Sequence, residues 1–394
     1  MELEIWLLGI ILPFFASFAF TVWIFPYVLR MAKEKDIVDV PNYRKLQKVA
    51  VPVMGGFAVF FGIIAGAGLT SVFINTYNLF TCIVALTFMM FFGLLDDTIG
   101  LSPWLRIIIE VMIIGFIVKM DLVNLNDFHG LFGIHKLPVL VSLPLCAIAG
   151  VGIVNAINMI DGVDGLSSSF CILACLEFGI AFCASFDGLM AIMASLASGA
   201  LIPFFLHNVF GTKTKMYIGD SGSMMIGMLL MIFCMHTMDN TSRVAYNFPN
   251  LGIVAFCLAI LSVPVFDTIR VMLGRISKGV SPFHPDKSHL HHLFIQFGFS
   301  HIGTCLMINA LNTLCVLCLM FVYIVLRADA TVQFLVVFVI GIFNTYGVHY
   351  IVSNMNHERL PYRVLHWLAV KSQCTDSKWF HSISKFVERA HCTH

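Results

Sequence analysis

Five carboxylates have the type and setting to do chemistry. Asp96 and Asp97 lie in LLDD, Asp161 and Asp164 in NAINMIDGVDG (155–165), and Asp220 in YIGDSGS (217–223). Each sits at the edge of a long apolar run. Polar side chains beside hydrocarbon are costly unless they are satisfied, so their recurrence asks for a functional reason. Asn155, Asn158, Asp161 and Asp164 recur every third residue, and a helical stretch would put them on one face. Five carboxylates gathered at one membrane face would repel one another, and a divalent cation relieves that repulsion. Ligation by one or two carboxylates, completed by phosphate and water, suits magnesium, with manganese as the alternative. Zinc would have to use the single histidine-rich loop, through His284, His289, His291 and His292. Lys48, Arg275, Lys278 and Lys287 flank the same loops and point to an anionic substrate. GDSGS opens an apolar run, so the N–H groups of 221–223 can face phosphate oxygens at a helix N-terminus. Acids for a metal, cations for phosphate and a site level with the membrane suggest phosphoryl transfer from a soluble donor to a lipid.

The elements that must position these residues are membrane helices. The 394 residues are 59% hydrophobic and 11% charged, with a mean hydropathy of +0.91. Soluble chains average about 25% charged residues. The expected fold is an all-α polytopic membrane protein. Apolar runs near 5–29, 53–73, 78–95, 104–119, 137–156, 167–186, 188–206, 219–237, 250–272, 301–326 and 331–352 predict about eleven transmembrane helices. If the segments after alternate runs face one side, that side holds 19 of the 23 Lys and Arg, leaving Lys119, Lys136, Arg243 and Arg327 opposite. The basic side reads as cytoplasmic, with the N-terminus outside and the C-terminus inside. All five polar segments fall on that side, whereas a transporter keeps its ionisable residues near the midplane. The acidic Glu2 and Glu4 before a long apolar run read as the start of a first spanning helix. Most of the twelve cysteines lie inside apolar runs and read as buried small hydrophobes; even the metal-like spacing of Cys315 and Cys318 lies in mid-membrane. Residues 1–352 form the expected catalytic domain with five cytoplasmic segments. The tail, 353–394, carries Trp379, Phe380, Ile383, Phe386 and Val387 at helical spacing and predicts an amphipathic helix, interfacial or solvated.

LLDD, NAINMIDGVDG, YIGDSGS and SPFHPDKSHLHHL, in this order, resemble the polyprenyl-phosphate N-acetylhexosamine-1-phosphate transferase family over about residues 1–355. The HPDKSHLHHL loop is most similar to the undecaprenyl-phosphate N-acetylglucosamine-1-phosphate transferases of lipopolysaccharide and teichoic acid pathways. The resemblance implies transfer of a hexosamine-1-phosphate from a UDP-N-acetylhexosamine to undecaprenyl phosphate, with release of UMP. It implies magnesium at Asp220 and Asp161, and action of Asp96 and Asp97 on the lipid phosphate or the metal. Asn158, Asp164, Asn208 and Tyr217 match donor-side positions, with Tyr217 where an aromatic stacks on uracil. Lys48, Arg275, His289, His291 and His292 match the remaining catalytic positions. Val53 departs from the peptidoglycan branch, which has threonine there. The expected setting is the bacterial inner membrane with a cytoplasmic active site, a homodimer as one option, and no nucleic acid. The alternatives are the same chemistry with another UDP-hexosamine, or a membrane transporter.

Overall fold

A computed structural model describes residues 2–39, 50–70, 76–284, 286–356, 358 and 360–389. The apolar runs become helices because a helix satisfies its own backbone where no water can. In chain order these are α1 (Glu2–Glu34), α2 (Gly55–Thr70), α3 (Thr76–Ile99), α4 (Pro103–Lys119), α5 (Val139–Met159), α6 (Leu166–Ala184), α7 (Gly188–Phe210) and α8 (Gly219–Thr237). A short α9 (Arg243–Asn247) leads into α10 (Ile253–Ile260), α11 (Ser262–Ile276), α12 (Leu290–Phe297), α13 (His301–Ile324) and α14 (Ala330–Ile342). A π-helical turn, Phe343–Gly347, joins α14 to α15 (Val348–Ser353), and the tail forms α16 (Leu360–Ser372) and α17 (Lys378–Arg389). Two antiparallel ribbons complete the described chain. One pairs β1 (Val38–Asp39) with β2 (Val51–Pro52), Val38 opposite Pro52; the other pairs β3 (Asp127–Leu131) with β4 (Ile134–Lys136), Asp127 opposite Lys136.

Among the described residues, eight helices are long and apolar enough to cross a bilayer, nine if α10 and α11 form one bent span. The eleven apolar runs exceed that number through two helices. The first, α2, has only 16 residues; the second, α4, has 17 and carries Arg106, Glu110 and Lys119.

The hub is α8, almost wholly buried and packed on α2, α3, α5, α6, α9 and α10. Small residues at its start permit the close approach. A Cβ on Gly56 of α2 would lie 2.4 Å from the Gly222 nitrogen, and one on Gly93 of α3 would lie 2.4 Å from the Ser221 Cα. Helices α1, α2 and α7 pack together beside this hub.

Between α10 and α11 the chain bends by 76°. A bend frees backbone groups that hydrocarbon cannot hydrate. Asn312 of α13 satisfies them: its Nδ2 donates to the Ile260 carbonyl at 2.8 Å, and its Oδ1 accepts from the Val263 N–H at 3.1 Å and the Ser262 hydroxyl at 2.9 Å. The bend redirects α11, which carries Asp267, Arg270 and Arg275.

The tail packs on the helical domain. Ser300 at the start of α13 donates twice to Ser372 of α16, its N–H to the hydroxyl at 3.0 Å and its hydroxyl to the carbonyl at 2.6 Å. The Phe210 ring at the end of α7 meets Phe380 and Trp379 of α17, with centroids 5.1 and 6.2 Å apart.

Candidate active site

The site is built on the N-terminus of α8. Gly219 takes a left-handed φ of +74°, which turns the chain sharply into the helix. Asp97, at the end of α3, lies directly beneath this turn. Its Oδ1 accepts from the Asp220 N–H at 2.8 Å and its Oδ2 from the Ser221 N–H at 3.0 Å. Asp97 therefore caps α8, adding a negative charge at the positive end of the helix dipole. Asp220 is left projecting from the first turn. Its Oδ1 accepts from Asn158 Nδ2 at 2.6 Å, and the same amide nitrogen donates to the Ser223 hydroxyl at 2.9 Å.

Arg106 of α4 ties these groups together. One guanidinium nitrogen lies 2.8 Å from Asp96 Oδ2 and 3.7 Å from Asp220 Oδ2; another donates to Asn158 Oδ1 at 3.1 Å. Asp96 also accepts the Leu101 N–H at 2.7 Å, which closes the turn between α3 and α4. In the sequence Arg106 counts only among the basic residues that set the orientation. A usable signal is present, because Arg106 and Glu110 stand one turn apart in a helix whose only other charge is Lys119 at its end. Glu110 is fully buried and accepts from Asn155 Nδ2 at 2.6 Å. Asn155 thus points into structure, while Asn158, three residues on, serves the site.

Helix α5 ends at Met159, so Asp161 and Asp164 lie in the turn that follows, not on its face. Asp161 opens into the cleft, and among the described residues its carboxylate has no hydrogen bond or ion pair. Desolvation by the surrounding protein, then the charges of Asp220, Asp97 and Asp164, pushes its carboxyl up to about 8. Asp164 is engaged. Its Oδ2 lies 2.6 Å from Lys215 Nζ and 2.6 Å from His301 Nδ1. Burial opposes ionisation of Asp164, but His301 and Lys215 outweigh it and hold the carboxyl below its usual range. Asn208 is a buried clasp: its Oδ1 accepts from the Gly165 N–H at 2.6 Å and its Nδ2 donates to the Met216 carbonyl at 2.9 Å. It joins the 160–165 turn to the segment that carries Tyr217.

Tyr217 is anchored through its backbone. Its N–H donates to the Pro52 carbonyl at 2.8 Å, and its carbonyl accepts from the Gly55 N–H at 2.8 Å. The VPVMGG turn is thereby laid alongside YIGDSGS. The Tyr217 ring lies 5.8 Å from Lys215 Nζ, with its hydroxyl pKa raised by burial and by nearby Asp164. Lys48 falls outside the described residues.

The histidine loop closes over the 160–165 turn. A Cβ on Gly162 would lie 2.5 Å from His291 Nε2, so a side chain there would displace that ring. His289 Nδ1 lies 2.9 Å from Asp267 Oδ2, and Arg270 meets Asp267 Oδ1 at 2.7 Å and the Ser288 carbonyl at 2.6 Å. Burial and the neighbouring His292 and His289 push His291 down to about 3; burial, His289 and Lys287 push His292 down to about 4. Arg275 spends its fork on the loop itself, pairing with Asp286 at 3.1 and 2.9 Å and with the Pro282 carbonyl at 2.6 Å. Asp267 and Arg270, which orient His289, lie inside an apolar run and were not singled out by the sequence. No local pattern marked them.

The structure thus gathers Asp96, Asp97, Asn158, Asp161 and Asp220 around one helix start, and adds Arg106. Asp164 and Asn208 flank this centre as fixed supports, and Arg275 braces the histidine loop. The donor set fits magnesium. Asp161 has an uncommitted carboxylate among like charges, and the Asp220 side chain is 35% exposed, with Arg106 its nearest cation at 3.7 Å. Among the described residues no group of three or more His, Cys, Asp or Glu side chains forms a ready cage.

Residues 79–238, which run from α3 to just past α8, match the model for glycosyl transferase family 4. Over that span, the chain is similar to glycosyl transferase family 4. The matched region holds Asp96, Asp97, Arg106, Asn158, Asp161, Asp164, Asn208, Tyr217 and Asp220, so the whole helix-start cluster lies inside it. The chain is also similar to the undecaprenyl-phosphate alpha-N-acetylglucosaminyl 1-phosphate transferase of Escherichia coli K12, at 28% identity over 72% of this chain and 76% of the relative. The probable undecaprenyl-phosphate N-acetylglucosaminyl 1-phosphate transferase of Bacillus subtilis is 26% identical over 77% of this chain and 82% of its own length. The Yersinia pestis relative, with the same name as that of Escherichia coli, is 28% identical over 69% and 73%.

Proposed function

We propose that the protein transfers an N-acetylhexosamine-1-phosphate from a UDP-sugar to undecaprenyl phosphate, releasing UMP. GlcNAc-1-phosphate is the group named by the relatives. The observation that carries this reading is the cluster at the start of α8, where projecting Asp220 meets Arg106 and Asn158, with the uncommitted Asp161 carboxylate near Asp220 and Asp97, within the family-matched region. The orientation belongs to the same proposal: the site on the cytoplasmic side of a bacterial inner membrane, the N-terminus outside, and α2 and α4 completing eleven crossings.

A lipid phosphate monoester has a second pKa of about 6 and is mostly dianionic at neutral pH. It needs little help from a base. An oxygen of that phosphate attacks the sugar-bearing phosphorus of the donor, the bond from that phosphorus to the UMP oxygen breaks, and UMP leaves with the electron pair. The difficulty is bringing two anions together, and catalysis rests on positioning and charge. Magnesium held by Asp161 and Asp220 would neutralise charge on the diphosphate. Arg106 adds a fixed cation beside Asp220, and Asn158 orients the Asp220 carboxylate. Asp97 holds the helix start, and therefore Asp220, in place. Asp164, Lys215 and Tyr217 form the donor side, with His291 closing over Gly162. An aspartyl-phosphate intermediate is the rival path, and a phosphorylated enzyme trapped with UDP-sugar alone would establish it.

Purified protein in lipid nanodiscs, given undecaprenyl phosphate and a panel of UDP-N-acetylhexosamines, should release UMP only when lipid phosphate is present. No UMP from any donor overturns the proposal; UMP with a donor other than UDP-GlcNAc overturns the GlcNAc assignment alone.

A further inference from the structure

We propose that the C-terminal helix α17 is a strap that sets the geometry of the donor side, with Glu388 as its positioning residue. The inference rests on the donor-side reading of Asp164, Lys215 and Tyr217 given above.

Glu388 Oε1 accepts from three consecutive backbone N–H groups, those of Thr212 at 2.7 Å, Lys213 at 2.9 Å and Thr214 at 3.4 Å, and from the Thr212 hydroxyl at 3.0 Å. Successive N–H groups converging on one point make an anion-binding concavity. Here the anion is a side chain of the same chain, delivered from 174 to 176 residues away. Burial raises the Glu388 carboxyl, but the hydrogen bonds from Thr212 to Thr214 prevail and hold it below its usual range. The helix that carries Glu388 is seated by Val387, 3% exposed, and by Trp379 and Phe380 against Phe210.

The gripped segment leads straight to the site. Lys215, next after Thr214, pairs with Asp164 at 2.6 Å. Tyr217 then docks on the VPVMGG turn, and Asp220 begins α8. Other groups hold the same segment: Lys33 Nζ donates to the Lys213 carbonyl at 2.8 Å, His207 meets the Thr214 hydroxyl at 3.1 Å, and Asn208 holds Met216. The three N–H groups of 212–214, however, all converge on Glu388. Its loss loosens the arm that carries Lys215 while leaving the Asp97 cap and the α8 start intact. The strap therefore acts on donor binding more than on the chemical step.

The test uses the full-length protein in nanodiscs with Glu388→Ala and Glu388→Gln. Amide hydrogen exchange should quicken at 212–214 by tenfold or more in Glu388→Ala, on the order expected when a charged acceptor is removed, and less in Glu388→Gln, whose amide oxygen still accepts. The KM for the UDP-sugar should rise about five- to tenfold in Glu388→Ala, with kcat and the KM for lipid phosphate changed by less than about twofold. Unchanged exchange at 212–214 overturns the strap. Faster exchange with an unchanged donor KM overturns its link to the donor side. A parallel loss in kcat, both KM values and melting temperature marks general destabilisation and also overturns it. The exchange readout needs no substrate, so it stands even if the wild-type protein fails to release UMP, which would sink the proposed function instead.

Discussion

Replacing Asp97 with Asn tests whether that carboxylate works on the substrate or on the protein. In the structure both Asp97 oxygens accept from α8, at 2.8 and 3.0 Å. Asparagine keeps one acceptor and turns an NH2 toward the other N–H. An unsatisfied buried donor costs about 1–3 kcal/mol. Asp97→Asn should therefore lose on the order of 1–3 kcal/mol of stability, with a melting temperature several degrees lower. Whichever N–H loses its acceptor, that of Asp220 or that of Ser221, the helix start that carries Asp220 is disturbed, so turnover should fall as well. Misplacement by a fraction of an ångström to 1 Å is worth about ten- to a hundredfold in rate. The assay pairs UMP release with thermal unfolding in the same nanodiscs. An Asp97→Asn protein that melts with the wild type yet has no turnover would refute the capping argument and give Asp97 a direct part in the chemistry.

Asp220→Asn should behave oppositely: the oxygen that accepts from Asn158 is retained, so unfolding should stay within a few degrees of wild type while UMP release is lost and added magnesium fails to restore it. For Asp161, the folded carboxyl lies at about 8, above its unfolded value, so ionisation weakens the fold as pH rises from the ordinary carboxylate range toward 8. Asp161→Asn should therefore unfold at a higher temperature than wild type at pH 8, a gain that vanishes near pH 4, while turnover is lost; equal melting temperatures at pH 8 would remove the charge-crowding argument. His291 runs the other way, with a folded value of about 3 below the unfolded 6.5, so wild-type stability should fall as pH drops from 6.5 toward 3. At pH 5 the loss is about 2 kcal/mol, and His291→Gln should be spared it. A stability gap between the two proteins that stays constant from pH 8 to 5 would refute the buried, neutral ring.

Much of the site was legible because charge beside hydrocarbon is costly and therefore sparse. Asp96, Asp97, Asp161 and Asp220 stand out against apolar runs, and the structure brings all four to one helix start. Their division of labour was not legible. Asp96 and Asp97 are adjacent and alike in sequence, yet one pairs with Arg106 and the other caps α8. Asp164 and Asn208 read as donor-side positions from the sequence, but nothing in it showed that Lys215 and His301 hold the one, or that the other bridges Gly165 and Met216. Arg275 read as a cation for phosphate, and its guanidinium is instead committed to Asp286.

The sequence by itself determined the class of protein, most of the helices and the acids of the helix-start cluster, because hydropathy, helical period and the cost of buried charge are local properties of the chain. The tertiary structure alone decided which acid stays uncommitted, that Arg106 and Asp267 belong to the site, and that the tail grips the loop before α8. Those outcomes depend on partners up to 176 residues apart, and a hydrogen bond of 3 Å is fixed by packing that no local pattern encodes.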